Sequence, residues 1–207
     1  MVKKAIVNST EEGIQSINLI LTSRNGSPLC IHAFGDKAKQ QIRDKQQKKA
    51  VAAKEERKPA EEFEAAKYID EQGRECAPVT ALKKAIITAA TAFDNLTKVA
   101  LKQALFVYPT LAPNSMLVPI QGKDGSFIKG VMREDAVTIG INTRGLTYRP
   151  EYKEWFLRIT IEYNPRLVSK EQLLKLVDQA GWGVGVCEGR PEKSSALGWG
   201  RFQRVEE

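Results

Sequence analysis

The stretch that most constrains how this chain folds runs from Trp155 to Asn164. Trp155, Leu157, Ile159, Ile161 and Tyr163 alternate there with Phe156, Arg158, Thr160, Glu162 and Asn164. Period two places the first set on one face and predicts a strand buried on that side. Five residues on, Ser169-Lys170-Glu171-Gln172 has the form of a capping box, a serine N-cap with glutamine three positions later. Leu173, Leu174, Leu176, Val177 and Ala180 supply an apolar helix face, and Gly181 supplies a C-terminal stop. A half-buried strand feeding an amphipathic helix predicts an α+β domain whose helices cover one face of a sheet.

The rest of the chain extends that pattern with interruptions. Residues 1–13 form a polar lead-in. Ile17-Asn18-Leu19-Ile20-Leu21-Thr22 reads as a strand ended by Arg24-Asn25-Gly26-Ser27-Pro28. Leu29 to Phe34 either extends it or forms a second short strand. From Asp36 the composition changes: Lys37, Lys39, Arg43, Lys45, Lys48 and Lys49 interleave with Gln and Ala, and the apolar stripe shrinks to Ile42 and Val51. Pro59 breaks this run, and Glu61, Glu62, Glu64, Asp70 and Glu71 reverse its sign. Residues 36–75 are therefore expected to be a charged, partly helical insertion that projects from the core or is disordered.

Ala77-Pro78 opens a core helix with Leu82, Ile86, Ala89, Ala90, Phe93, Leu96 and Ala100 at three- and four-residue spacing. The pattern fits one helix running to about Val107 or two helices broken near Asp94-Asn95. Residues 109–135, punctuated by Pro109, Pro113 and Pro119, are read as an irregular or hairpin insertion with a turn at Gln121–Gly125. Ala136 to Ile141 is a strand, Asn142-Thr143-Arg144-Gly145 a turn, and the segment Gly198 to Val205 holds the closing strand. With the insertions removed, the order is β-α-β-β-α-β, the ferredoxin-like or RRM-like sheet with two covering helices and one open face.

Three segments resemble the RAMP superfamily, the RRM-like proteins of CRISPR systems. Ile17 to Ile31, INLILTSRNGSPLCI, is similar to its first strand and the Ser-Pro-Leu turn that follows. Cys76 to Ala90, CAPVTALKKAIITAA, resembles its first helix, with Lys84 where glycine is usual. Gly181 to Phe202, GWGVGVCEGRPEKSSALGWGRF, is similar to its C-terminal glycine-rich loop. Most of the chain lies outside these segments. The resemblance implies binding of single-stranded RNA, in some branches assembly along the strand, and in others RNA cleavage.

Charge points the same way. Thirty-two Lys and Arg against 25 Asp and Glu give +7, which favours polyanionic partners. In the glycine-rich segment, Gly183, Gly185, Gly189, Gly198 and Gly200 free the backbone for close approach of amides to phosphates. Arg190, Lys193 and Arg201 add charge, and Trp199 adds a stacking face. Arg133 and Arg149, flanking the strand at Val137, and Lys83 and Lys84 on the first helix are expected to extend the surface. A dinucleotide fingerprint is excluded, because its glycines must follow a strand and these follow a helix. His32 is the single histidine; alone in an apolar run it reads as structural, with general acid–base catalysis as the lesser alternative. Glu134 and Asp135 are adjacent, so in a strand they point apart and make a poor metal pair.

Cys30, Cys76 and Cys187 are odd in number and widely spaced, which excludes a disulfide framework and fits a reducing cytoplasm. No secretion signal or transmembrane stretch is expected, and no membrane partner. The chain thus reads as one domain, 1–207, that binds single-stranded RNA or DNA without catalysis, cofactor or metal, associating with itself or with CRISPR-type protein partners. Two other classes stay open: a phage or mobile-element accessory protein that binds or mimics a host defence complex, and a RAMP-type endoribonuclease using His32.

Overall fold

The computed structural model describes residues 13–48, 56–139, 143–194 and 197–205. Most of the polar lead-in, Lys49 and Val51 of the basic run, and Gly140 to Asn142 lie outside them. The protein is an α+β fold built on a four-stranded antiparallel sheet. Its strands are β1 (Gln15–Ser23), β5 (Leu105–Pro109), β9 (Phe156–Tyr163) and β10 (Phe202–Arg204), in the order β10-β1-β9-β5. Helix α3 (Val79–Ala89) follows β1 in this core, and α5 (Lys170–Gln179) follows β9. Renumbered within the core, the strands lie 4-1-3-2, the ferredoxin-like arrangement.

The alternation in β9 does what its pattern requires. Leu157, Ile159, Ile161 and Tyr163 are buried and pack in one core with Leu82, Ile86, Leu173, Leu176 and Val177 of the two helices. Fully burying each aliphatic side chain contributes about 1.5–3 kcal/mol, so a one-residue slip that turned the row outward is strongly disfavoured. The capping box forms: the Gln172 amide donates to Ser169 Oγ at 3.2 Å, and Gln172 Oε1 accepts from the Ser169 amide at 2.9 Å. The helical coil does not stop at Gly181. A wider turn carries it through Ala180–Val184, and it ends at Gly185, whose φ is +72°.

Of the two readings of the long helix the broken one holds, and two other expectations about the middle of the chain are corrected. The long helix breaks after a 3₁₀ turn at Ala90–Ala92, and α4 (Lys98–Ala104) restarts on a Thr97 cap. It ends at Ala104, because Phe106, Val107 and Tyr108, aromatic or β-branched, favour strand, and Leu105 to Pro109 pair along β9 as β5. The second core strand is therefore β5 and not the Ala136–Ile141 segment. Residues 136–139 of that segment belong to β7 (Val131–Ile139), which pairs with β8 (Thr143–Tyr152); β8 pairs in turn with short β2 (Leu29–Cys30), and the three make a separate sheet. The alternating residues of β7 include Arg133 and Asp135, and it lacks the buried apolar row that a strand under helices needs. Thr143 to Gly145 lie in strand rather than turn.

The charged insertion is ordered at both described ends. Helix α1 (Asp36–Gln46) carries Lys37, Lys39, Arg43 and Lys45 of the basic run. Pro59 starts α2 (Pro59–Ala65) at its first turn, where the missing amide costs nothing, and α2 packs on β8. Short strands β3 (Tyr68–Ile69), β4 (Glu75–Pro78) and β6 (Leu117–Pro119) make a third sheet. Glu75 is buried there, accepting from Tyr152 Oη and the Gly130 amide, each at 2.7 Å, with Lys67 Nζ at 3.2 Å. Among the described residues no helix is long and apolar enough to cross a membrane.

Candidate nucleic-acid interface

The core helices cover one face of the main sheet; among the described residues no helix packs on the other. Paired residues share a face, so register identifies its members. One row is Tyr108, Thr160 and Asn18, with Thr160 Oγ1 2.8 Å from Asn18 Oδ1. The next is Phe106, Glu162 and Ser16. Phe106 is 48% exposed, and Lys83 Nζ reaches to 3.9 Å from its ring centroid. Burial lowers the Lys83 pKa below the usual lysine value. A third row runs through Thr22 and Phe156 to Gln121, and Gln121 bridges in turn to Phe127. Phe127 is also 48% exposed, with the Arg74 guanidinium 4.9 Å from its ring. Arg158 donates to Gln121 Oε1 at 3.1 Å between these rows. The face therefore presents exposed rings with a cation at two of them.

The glycine-rich segment is built differently. Its amides are spent inside the fold. Gly185 donates to Ala180, Val186 to Gly200, Glu188 to Cys30, Gly198 and Trp199 to Gly189, and Gly200 to Pro28 at 2.7 Å. The Ser27-Pro28 turn clamps it: Ser27 Oγ donates to Gly198 O and accepts from the Arg201 amide, while buried Trp155 Nε1 donates to Ser27 O. The two segments that resemble RAMP strand and loop are thus neighbours in space. Close packing explains the glycines directly. A Cβ on Gly200 would meet Val186 O at 1.9 Å, one on Gly181 would meet Phe202 O at 2.1 Å, and one on Gly189 would meet the Trp199 ring at 2.2 Å.

The charged residues singled out from sequence fall into separate places. Arg133 donates to Asp135 at 2.9 Å and Glu151 at 2.8 Å and lies 4.3 Å from the centroid of Trp199. Arg149 is corrected from surface to interior: it is 6% exposed, between Asp135 at 3.5 Å and Glu188 at 3.6 Å. Arg201 turns its Nε onto Trp182 O at 3.2 Å. Trp199 is half-buried against Gly189. Arg190 Nε meets Glu192 at 3.0 Å, and another of its nitrogens donates to Cys187 O at 2.7 Å. Lys193 is exposed, and Lys84 is exposed on the rim of a cleft. Of the residues expected to form one surface with Lys193 and Arg201, Trp199 meets Arg133, and Arg190 lines a cleft with Lys84.

That cleft, about 250 Å³, lies between α3 and the glycine-rich segment. His32 lines it and is exposed; desolvation, then Arg149, lowers its pKa from the ordinary histidine value. Burial pushes the Cys30, Cys76 and Cys187 thiols up to about 12, far from a reactive thiolate at neutral pH.

The sequence reading missed Phe106, Tyr108, Phe127 and Arg74. A usable signal existed for the first two: Leu105 to Tyr108 alternates apolar and aromatic, and the helical stripe ends at Ala100. Phe127 gives no such signal, since its position depends on a bridge between distant segments.

No family model matches the chain, and no curated protein does. Among solved structures, it is similar to the crystal structure of Cmr6 from Pyrococcus furiosus at 9% identity and a TM-score of 0.43, over 93% of this chain and 98% of that one.

Proposed function

We propose that this protein binds single-stranded nucleic acid, RNA before DNA, on the open face of its main sheet and without cleaving it. The observation that supports the reading is the set of rings on that face, exposed Phe106 and Phe127 each with a cation beside it and half-buried Tyr108 in the row of Thr160. Base stacking on aromatic side chains is indifferent to sequence, and flanking cations add phosphate attraction. The net charge of +7 supports the same partner class. The preference for RNA rests on the RAMP resemblance of the three quoted segments.

Anisotropy of labelled single-stranded RNA and DNA, titrated at two salt concentrations, tests this. Affinity that falls with salt and is lost in a Phe106→Ala/Tyr108→Ala variant supports it; binding blind to both overturns it. A second reading, protein docking, is favoured by Val131, Met132 and Leu146, which are exposed on the β7–β8 hairpin. Purification of the native particle with a stoichiometric protein and no nucleic acid would select it.

A further inference from the structure

The cleft between α3 and the glycine-rich segment has a chemistry of its own. Thr80, Lys84 and Thr88 recur every four residues along one stripe of α3 and form one wall. Arg190 faces them from the loop, and Val184 to Val186 complete that side. Ile31, Pro78, Ala81 and Tyr68 supply apolar and aromatic surface in the same space. Glu188 and Glu192 also line it, Glu192 beside Arg190; two cations and two hydroxyls near the Tyr68 ring match a phosphate joined to a sugar and base. The volume, about 250 Å³, is below the roughly 300–1,000 Å³ of ordinary ligand pockets and holds one nucleotide rather than a dinucleotide cofactor.

We infer that this cleft binds a single nucleotide bearing a terminal phosphomonoester. A terminal phosphate carries up to two charges, whereas a linking phosphodiester carries one, so a site with Lys84 and Arg190 favours the terminus. Glu192 holds Arg190 Nε at 3.0 Å, and Lys84 and Lys193 act on Glu192 electrostatically. The carboxylate occupies the position of the anion, and an incoming phosphate displaces it. The ligand is either the 5′ end of a nucleic-acid strand or a free nucleoside 5′-monophosphate. The first source rests on the proposed strand binding; the second does not.

The test has two arms on the full chain. In the first, 5′-phosphorylated and 5′-hydroxyl oligoribonucleotides of one sequence are compared. The phosphorylated strand is expected to bind roughly tenfold tighter, in line with one or two charge-assisted hydrogen bonds. Lys84→Ala is expected to erase that preference, so that the phosphorylated and hydroxyl strands bind the variant equally. In the second arm, a nucleoside 5′-monophosphate is titrated calorimetrically, and Glu192→Gln is expected to tighten it several-fold by removing the competing anion. Lys84 is exposed and Glu192 is paired only near the surface, so both variants are expected to fold; thermal unfolding checks this. A phosphate preference assigns the strand end, and monophosphate binding without it assigns the free nucleotide. Monophosphate binding with no affinity for any strand would sustain the cleft and remove the sheet-face reading. Equal affinity for both strand ends, together with no monophosphate binding, overturns the inference.

Discussion

The glycine-rich segment and strand β5 teach opposite lessons about reading function from composition. Gly181 to Phe202 has the residues of a ligand loop, yet its amides close on Pro28, Cys30, Ala180 and Gly189, and its glycines make room for neighbouring backbone and a tryptophan. Strand β5 sits in what sequence reads as the tail of a helix, yet it turns Phe106 and Tyr108 onto the open face of the sheet. The difference is one of partners. Glycine next to glycine is ambiguous until the chain that fills the space is known. An aromatic on a strand is exposed or buried according to the strand it pairs with.

The sharpest break between the two regions is a single methyl group. Gly200→Ala places a Cβ 1.9 Å from Val186 O at a φ of +65°, so backbone must move, and we expect a loss of about 3–5 kcal/mol in chemical denaturation. Gly125→Ala is the control: its φ is +82° with nothing within 4 Å, and only the left-handed strain of about 1–2 kcal/mol is expected. Equal costs at the two sites would mean that the segment is not interlocked and would return its glycines to a ligand role.

Next in size is Arg149. Replacement by Met removes a buried cation from Asp135, which Arg133 still pairs, and from Glu188, whose side chain is 45% exposed; a fully buried pair broken on one side costs about 3–5 kcal/mol, and this cluster costs less. The two contacts are long, and Arg149 Nε and Asp135 Oδ2 are buried without a hydrogen-bond partner, which puts the expectation at about 2 kcal/mol, below that range. The variant is expected to bind RNA normally at temperatures where it is folded. A loss of affinity without a loss of stability would restore Arg149 to the interface.

Phe106→Ala reverses that pattern. The ring is half exposed, so stability is expected to fall by about 1 kcal/mol or less, while strand affinity falls by the roughly 1–3 kcal/mol of one stacked base. Affinity unchanged by this variant would separate the open face from nucleic acid.

The sequence carried the core well because its signals are local. Period-two alternation in β9, the capping box at Ser169 and the apolar stripe of α3 each settle within a dozen residues, and together they gave the β-α-β-β-α-β order. The second core strand was misplaced because β5 and β7 are both short alternating segments, and only burial under α3 distinguishes Leu105 and Val107 from the ion-paired residues of β7. The candidate site was less legible for the same reason. Lys83 lies on α3 and Phe106 on β5, and nothing local says that they touch. Lys84 and Arg190 were recognised as cations, but the cleft that joins them exists only once the loop has folded back on the helix.

The smallest expected effect concerns His32, which lines the cleft beside the glycine-rich segment. Its pKa is lowered in the folded state, by desolvation first and by Arg149 second. The unfolded chain then takes up the proton before the folded one does, so this group favours folding above its ordinary pKa of about 6.5 and loses that contribution as pH falls through it. Glu188 and Glu62 act in the opposite sense and keep the effect modest. Denaturation midpoints of the native chain are expected to decline slightly from pH 7.5 to pH 5.5, and His32→Gln is expected to flatten that slope while leaving nucleic-acid affinity at pH 7.5 unchanged. A slope of the opposite sign in the native chain, or RNA cleavage that disappears with His32, would move this residue from the structural side of the comparison to the chemical one.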